Sequence, residues 1–147
     1  MKATLSTFEV KELAYNWFKK LTEHAPAEEL LELVSSDADL LIEFPNTPIK
    51  NADEFRAWLH NVTHTFFDQQ HVLQMLDISI DGDKAKVRLI VNWQAKTWEA
   101  PNAYSKWEGY CVHQEWEVKK DTKRNKAVIV NYKVGEFDSF KRISEIQ

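Results

Sequence analysis

The feature that most constrains the fold is a change of hydrophobic period at His71. From there to Trp98, apolar and polar residues alternate on both sides of Asp81-Gly82, in HVLQMLDISI and DKAKVRLIVNWQAKTW. Alternation with period two is typical of a strand with one buried face, and Asp-Gly supplies the positive φ angles of a type I′ turn. The sequence therefore predicts a long β-hairpin with Asp81 and Gly82 as its central turn residues.

Helical periodicity precedes this hairpin. Residues 6–9 (STFE) form a capping box ahead of the apolar stripe of a first helix, which we expect to end near residues 24–26. A second, short helix fits residues 27–34, where leucines and a valine face inward and acids face outward. Asn51 and Glu54 repeat the capping pattern at the start of a third helix. The N-terminal half is therefore predicted to be mainly helical.

Strands are predicted around and after these helices. LLIEF at 40–44 fits a strand that Pro45 and Pro48 terminate. Behind the hairpin, residues 104–118 and 127–134 (AVIVNYKV) fit two more. Helices followed by a run of antiparallel strands indicate the α+β class instead of a parallel-sheet protein.

This order of elements resembles the nuclear transport factor 2-like superfamily and, within it, the SnoaL-like proteins. The resemblance is carried by LLIEFPNTPIKNADEFRAWL, by QQHVLQMLDISIDGDKAKVRLIVNW, and by EWEVKK followed by VIVNYKVGEFD. It implies one domain over residues 1–147, with three N-terminal helices on a strongly curved antiparallel or mixed sheet, cone-shaped around an internal pocket, as in cystatin-like folds. Members include isomerase-like and dehydratase-like enzymes and proteins with no assigned reaction, so the fold alone does not choose a function.

The predicted hairpin register divides the sheet into two faces. With Ile80 opposite Asp83, one face is nearly all apolar and should pack on the helices. Extending this inner face along the chain and adding the first helix gives the predicted ligand-binding residues: Trp17, Gln74, Trp93, Tyr110, Gln114, Trp116 and Tyr132. The rings could instead fill a dry core. The two amides favour a pocket, because buried amides need hydrogen-bond partners that ligand or water can supply.

Two functions fit such a pocket. The preferred one is binding of a small, largely apolar molecule, because the predicted inner face carries no Asp, Glu or His. The alternative is a cofactor-free isomerase, dehydratase or hydrolase that uses His71 or His113 beside a carboxylate as general acid or base. A bulge between Trp98 and Tyr110 would invert the next strand and turn His113 and Glu115 into the cavity. No cofactor is expected under either hypothesis.

The stretch HNVTH at 60–64 has the histidine spacing of zinc proteases, with Asn61 in place of the glutamate that acts as general base. Relative to the apolar stripe of the third helix, His60 and His64 lie about 140° and 180° away. They are predicted to face solvent, and no metal site is expected.

Charge and hydropathy point to a protein without nucleic-acid or membrane partners. The net charge is −4, and the basic run KKDTKRNK at 119–126 fits a solvated hairpin tip. No apolar run approaches 18 residues and no signal peptide is apparent. We expect a cytoplasmic protein whose single cysteine, Cys111, forms no internal disulfide.

The outer face of the predicted hairpin is more apolar than solvated surface requires. Apolar side chains there have a polar surround, which is the composition of an interface. The predicted contact residues are Leu73, Met75, Arg88, Ile90 and Asn92. A homodimer that packs sheet against sheet is expected, and the resemblance to the SnoaL-like proteins also implies one.

Overall fold

The computed structural model describes residues 4–35, 41–44 and 48–140, with the side chain of Leu41 left out. Within these residues, three helices pack on one face of a six-stranded mixed sheet, so the α+β prediction is confirmed. The helices are α1 (Thr7–Thr22), α2 (Ala27–Leu31) and α3 (Ala52–Thr65). The strands are β1 (Leu41–Glu43), β2 (Pro48–Ile49), β3 (Phe67–Asp81), β4 (Lys84–Thr97), β5 (Lys106–Asp121) and β6 (Lys126–Ser139).

The helix starts form as their sequences predict. At α1 the Glu9 backbone N–H donates to Ser6 Oγ at 3.1 Å, and the Ser6 N–H donates to Glu9 Oε2 at 2.9 Å. At α3 the Glu54 N–H donates to Asn51 Oδ1 at 2.9 Å. These bonds satisfy backbone donors that the first helical turn leaves free.

The second helix is shorter than predicted, because the chain after Leu31 joins the sheet. The Ser35 N–H donates to the Ile129 carbonyl at 2.8 Å, and the Ile129 N–H donates to Leu33 O at 2.9 Å. Residues 33–35 therefore pair with β6 instead of completing another helical turn.

The strand order is β2-β1-β6-β5-β4-β3, with β1 parallel to β6 and the other neighbours antiparallel. The predicted strand at 40–44 is β1, although Leu40 and Pro45 lie outside the described residues. Pro48 begins β2, whose Ile49 is buried. The short strands β2 and β1 thus form one edge of the sheet, next to β6.

The predicted turn is displaced by one residue. Asp81 pairs with Lys84, so Gly82 and Asp83 are the central residues, and only Gly82 has a positive φ, of 62°. A type I′ turn needs positive φ at both central positions, whereas glycine at the first position alone suits type II′. Ile80 consequently pairs with Ala85 instead of Asp83. The shift moves each partner by two residues, which leaves the faces unchanged near the turn.

A bulge at Gln74 changes the faces further along β3. Met75 pairs with Ile90 but Leu73 pairs with Val91, so Gln74 has no partner of its own in β4. An extra residue inverts the side-chain alternation beyond it. Leu73, His71 and Gln69 therefore lie on the inner, helix-covered face, whereas Gln74 and Val72 are exposed on the outer face. The predicted positions of Gln74, Leu73 and His71 were wrong for this reason.

The core lies between the inner face and the helices. From β4 it takes Ala85, Val87, Leu89 and Val91, and from β5 Val112, Trp116 and Val118. Helix α1 supplies Trp17 and Phe18, and α3 supplies Phe55 and Leu59. The core does not close completely over the N-terminal end of β3, and a cavity remains there.

Candidate functional site

A cavity of about 220 Å³ lies between the inner sheet face and helices α1 and α3. Most of its walls are aromatic or aliphatic, and among the described residues no Asp, Glu, Lys or Arg lines it. The lining residues are Phe18, Leu21, Phe44, Trp58, Leu59, Val62, Thr63, Phe66, Gln69, His71, Val91, Trp93, Val112, Gln114, Tyr132, Val134 and Phe137. Apolar walls with a few polar groups are typical of small-molecule sites.

His71 contributes an imidazole ring to the cavity wall. Its Nδ1 lies 3.0 Å from Thr22 Oγ1 at the C-terminal end of α1, and its backbone N–H donates to the same oxygen at 3.1 Å. Two rings flank the imidazole: Phe18 is stacked on it with centroids 5.9 Å apart, and Trp93 is tilted by 33° with centroids 6.5 Å apart. The side chain is thus held by one hydroxyl and two apolar rings.

This environment keeps His71 neutral. Burial lowers the pKa of His71 to about 4, and the nearby charge of His24 adds to the effect. At neutral pH the ring therefore has one protonated and one unprotonated nitrogen. A neutral imidazole of this kind can donate or accept a hydrogen bond, depending on which nitrogen carries the proton.

Gln69 connects the cavity wall to the surface. It is 6% exposed, its Oε1 accepts from Trp93 Nε1 at 3.0 Å, and its Nε2 lies 2.8 Å from Nε2 of the exposed His24. The amide therefore orients the Trp93 indole in the wall.

Gln114 and Tyr132, which also line the cavity, belong to a second polar group together with two buried tryptophans. Gln114 Oε1 accepts from Trp116 Nε1 at 3.1 Å, and the Tyr132 hydroxyl accepts from Trp17 Nε1 at 3.3 Å. Burial raises the pKa of Tyr132 well above its usual value, although hydrogen bonds with Trp17 and Gln114 oppose the shift. Tyr132 is thus a neutral phenol at every physiological pH.

The SnoaL-like domain matches residues 9–126 of the chain. This chain belongs to the SnoaL-like family. No curated protein was found to match it in sequence. The match begins in the first turn of α1 and covers the rest of that helix, all of α3 and the strands β3, β4 and β5.

Solved structures confirm the nuclear transport factor 2-like fold. A candidate scytalone dehydratase from Novosphingobium aromaticivorans has a TM-score of 0.73 and 14% identity, covering 90% of this chain and 86% of that chain. A nuclear transport factor 2-like protein from Salmonella enterica has a TM-score of 0.69 and 13% identity, with 95% of each chain covered. A hexachlorocyclohexane dehydrochlorinase has a TM-score of 0.73 and 11% identity, covering 91% and 88%. At such identities the likeness establishes the fold alone.

The seven residues predicted to bind ligand occupy three kinds of position in this SnoaL-like protein. Trp93, Gln114 and Tyr132 line the cavity. Trp17 and Trp116 are buried behind it, and Tyr110 stacks on Trp93 with ring centroids 5.8 Å apart. Gln74 is exposed on the outer face because of the bulge.

The histidine and carboxylate pair of the alternative reading does not form in the cavity. His71 lies there, but its hydrogen-bond partner is the Thr22 hydroxyl. His113 and Glu115 lie on the outer face, where His113 Nε2 is 3.3 Å from a carboxylate oxygen of Asp138. The bulge that would have turned His113 and Glu115 inward is absent from the β4–β5 pairing, which runs without interruption from Lys84 to Thr97.

The predicted ligand-binding residues included neither Gln69 nor His71, although the alternative enzyme hypothesis required His71 or His113 to lie in the cavity, and one signal could have located both residues. Gln74 was the single polar side chain on a strand face predicted to be apolar, and the register breaks at that residue. Phe44 and Trp58 were also missed, although their rings stack at 5.1 Å over the cavity. Nothing in their local pattern distinguishes a cavity wall from a filled core.

The outer face carries four of the five predicted interface residues. Met75, Arg88, Ile90 and Asn92 lie there, and Met75 is 37% exposed. Leu73 packs against the core instead, and Val72, 48% exposed, takes its place on the outer face.

The remaining predicted features lie at the surface. His60 and His64 are exposed with ring centroids 4.0 Å apart, and the predicted outward orientation is confirmed.

Among the described residues, His113, Glu136 and Asp138 place possible ligand atoms within 4.8 Å of one another, also near the surface. No helix in residues 4–35, 41–44 and 48–140 is long and apolar enough to cross a membrane.

Proposed function

We propose that this SnoaL-like protein binds one small, largely apolar molecule in the cavity between α1, α3 and the sheet. The observation that carries the proposal is an apolar cavity whose few polar side chains include a neutral imidazole and two amides. Trp93, Gln114 and Tyr132 would contact the ligand, together with Gln69 and His71. In this proposal the protein acts in the cytoplasm without a cofactor and has no nucleic-acid partner.

Filling the cavity is expected to abolish binding. Val62 lines the cavity from α3, so Val62→Phe would place a ring in the space that a ligand needs. A library of small aromatic compounds, screened by tryptophan fluorescence, should yield ligands that quench the wild-type signal through Trp93. For such a compound, Val62→Phe should weaken binding by at least about tenfold.

The control for this variant lies on the same helix. Ala57 is exposed, so Ala57→Phe adds a ring to α3 without entering the cavity. It should bind like the wild type. Equal affinity of Val62→Phe and wild type for every compound found would place the ligand elsewhere and reject the cavity as the site.

A second candidate is a cofactor-free isomerase, dehydratase or hydrolase. The observation that favours it is His71, a titratable side chain inside an apolar cavity. The names of two structural neighbours, a candidate dehydratase and a dehydrochlorinase, agree with acid or base chemistry in this fold. Product analysis of each compound that binds separates the candidates: turnover that His71→Gln abolishes supports an enzyme, and unchanged compounds support a binding protein.

We also propose that the outer face forms a homodimer. Val72 and Met75 expose apolar side chains, and the half-buried Ile90 lies on the same face beside Arg88 and Asn92. Two copies related by a two-fold axis could bury these residues sheet against sheet.

Ile90→Glu should convert this dimer into a monomer of 17.3 kDa, because dimerisation would bury an unpaired carboxylate. Sedimentation velocity at micromolar concentration measures the mass of both proteins. Lys11→Glu, a charge change at an exposed position on α1, away from the outer face of the sheet, should leave the mass unchanged. A wild-type protein that sediments as a monomer would reject the proposal.

A further inference from the structure

We infer that Thr22 fixes the tautomer of His71, so that Nε2 carries the proton and donates a hydrogen bond to the cavity ligand. The ligand is then a neutral molecule with a hydrogen-bond acceptor, such as the carbonyl of an aromatic ketone or ester. This inference rests on the proposed function and narrows it to a ligand class.

The proton of the Thr22 hydroxyl determines which nitrogen of the His71 ring is protonated. Thr22 Oγ1 accepts the backbone N–H of His71 at 3.1 Å and lies 3.0 Å from His71 Nδ1. A hydroxyl has one proton to donate, and within the described part of the chain Nδ1 is the acceptor that it reaches. If Nδ1 carried the proton instead, Thr22 would accept twice and its own proton would have no protein partner. The satisfied arrangement has Thr22 donating to Nδ1, which leaves the ring proton on Nε2.

The direction of His71 Nε2 follows from the hydrogen bond that Nδ1 makes with Thr22. Nδ1 is turned toward α1, so the nitrogen left for the cavity is Nε2. Among the described residues, no protein group forms a hydrogen bond with it, and no buried side-chain nitrogen or oxygen is left without a partner. Nε2 is therefore an accessible donor at the cavity wall.

The other polar side chains of the wall form hydrogen bonds within the protein. Gln69 Oε1 accepts from Trp93, and Gln114 Oε1 accepts from Trp116. The Thr63 hydroxyl donates to the Leu59 carbonyl at 2.9 Å. The oxygens of both amides and of Tyr132 thus already accept hydrogen bonds from the protein's own indoles, and the wall offers a ligand donors such as His71 Nε2.

The lack of charge in the described cavity lining favours a neutral ligand. The described lining residues include no charged side chain at neutral pH, because His71 is neutral there. An ionised ligand would lose its hydration without gaining a counter-charge, so its binding is disfavoured. The same cavity accepts a neutral carbonyl compound, whose oxygen gains the Nε2 proton.

The tautomer is measured directly by long-range ¹H–¹⁵N correlation spectra of the labelled protein at pH 7, with His71 assigned from the His71→Gln variant. The wild type should give the pattern of a ring protonated at Nε2. Thr22→Ser keeps the hydroxyl and should preserve that pattern. Thr22→Asp offers only acceptors to the backbone N–H and to Nδ1, so it should move the proton to Nδ1. A wild-type ring protonated at Nδ1 would overturn the inference, whether or not a ligand binds.

The ligand class is tested with two probes of nearly equal shape, acetophenone and α-methylstyrene, which differ in a carbonyl oxygen against a methylene group. The wild type and Thr22→Ser should bind acetophenone about tenfold more tightly, and Thr22→Asp should lose that preference. Equal binding of both probes by the wild type would overturn the assigned donor. If neither probe binds, the proposed function fails for these compounds, and the spectra still decide the tautomer.

Discussion

Replacing Trp17 with alanine should lower the free energy of unfolding by about 4 kcal/mol. Trp17 is 1% exposed, and its ring lies 5.5 Å from Tyr132, 6.0 Å from Phe55 and 6.4 Å from Trp116, measured between centroids. Alanine would remove these contacts and leave a void that the surrounding rings cannot fill. It would also remove the donor to the Tyr132 hydroxyl. Urea unfolding followed by circular dichroism measures the loss.

Two variants separate packing from hydrogen bonding. Trp17→Phe keeps most of the ring and loses the indole N–H, so its loss should be smaller, about 1–2 kcal/mol. Trp98 is 55% exposed and donates to the Asn102 carbonyl at 2.7 Å, so Trp98→Ala should lower stability by about 1 kcal/mol or less. If Trp17→Ala lost no more than Trp98→Ala, α1 would not be held to the sheet by this ring.

Local chemistry made the helix starts predictable. The capping bonds at Ser6 and Asn51 depend on residues within three positions of each other, so sequence alone determines them. The C-terminal end of α2 was less predictable. Its apolar residues 33 and 34 fit a helix, but β6, almost a hundred residues away, offers them a strand partner.

The register of the hairpin determines which side chains of β3 face the cavity. Asp-Gly and Gly-Asp are both acceptable central pairs, and the choice of Gly82-Asp83 moved the partners between the turn and the bulge by two residues without changing a face. The bulge at Gln74 had the opposite effect, because one unpaired residue turned His71 and Gln69 inward. The expectation of an inner face without histidine depended on an unbroken register and was wrong.

The distinction between cavity and core could not be predicted from sequence. Trp17, Trp93 and Trp116 all lie on the inner side, but only Trp93 borders empty space. Trp116 stacks on Tyr132 with centroids 5.0 Å apart and meets Phe18 in a tilted contact at 5.6 Å. Which rings meet depends on how α1 and α3 sit over the sheet, and that placement is a property of the whole fold.

His71 should also make the stability of the protein depend on pH. In the folded state burial lowers its pKa from 6.5 to about 4, so between these values the unfolded chain binds more protons than the folded protein. Stability contributed by the neutral ring is therefore complete above about pH 6.5 and is lost as the pH falls to about 4. The loss should reach about 3 kcal/mol, since each pH step between the two values changes the free energy by about 1.4 kcal/mol.

The assignment of this loss to His71 needs a variant that cannot titrate there. Glu9 and Glu28 also have lowered pKa values, through hydrogen bonds with Lys120 and Arg56 respectively, and they add a decline near and below their ordinary pKa. That decline is common to the wild type and to His71→Gln, so the difference between their unfolding free energies isolates the imidazole. From pH 7 to pH 4 the difference should shift by about 3 kcal/mol in favour of His71→Gln. His60→Gln, at an exposed position, should follow the wild type, and a constant difference between wild type and His71→Gln would mean that the ring charges freely inside the fold.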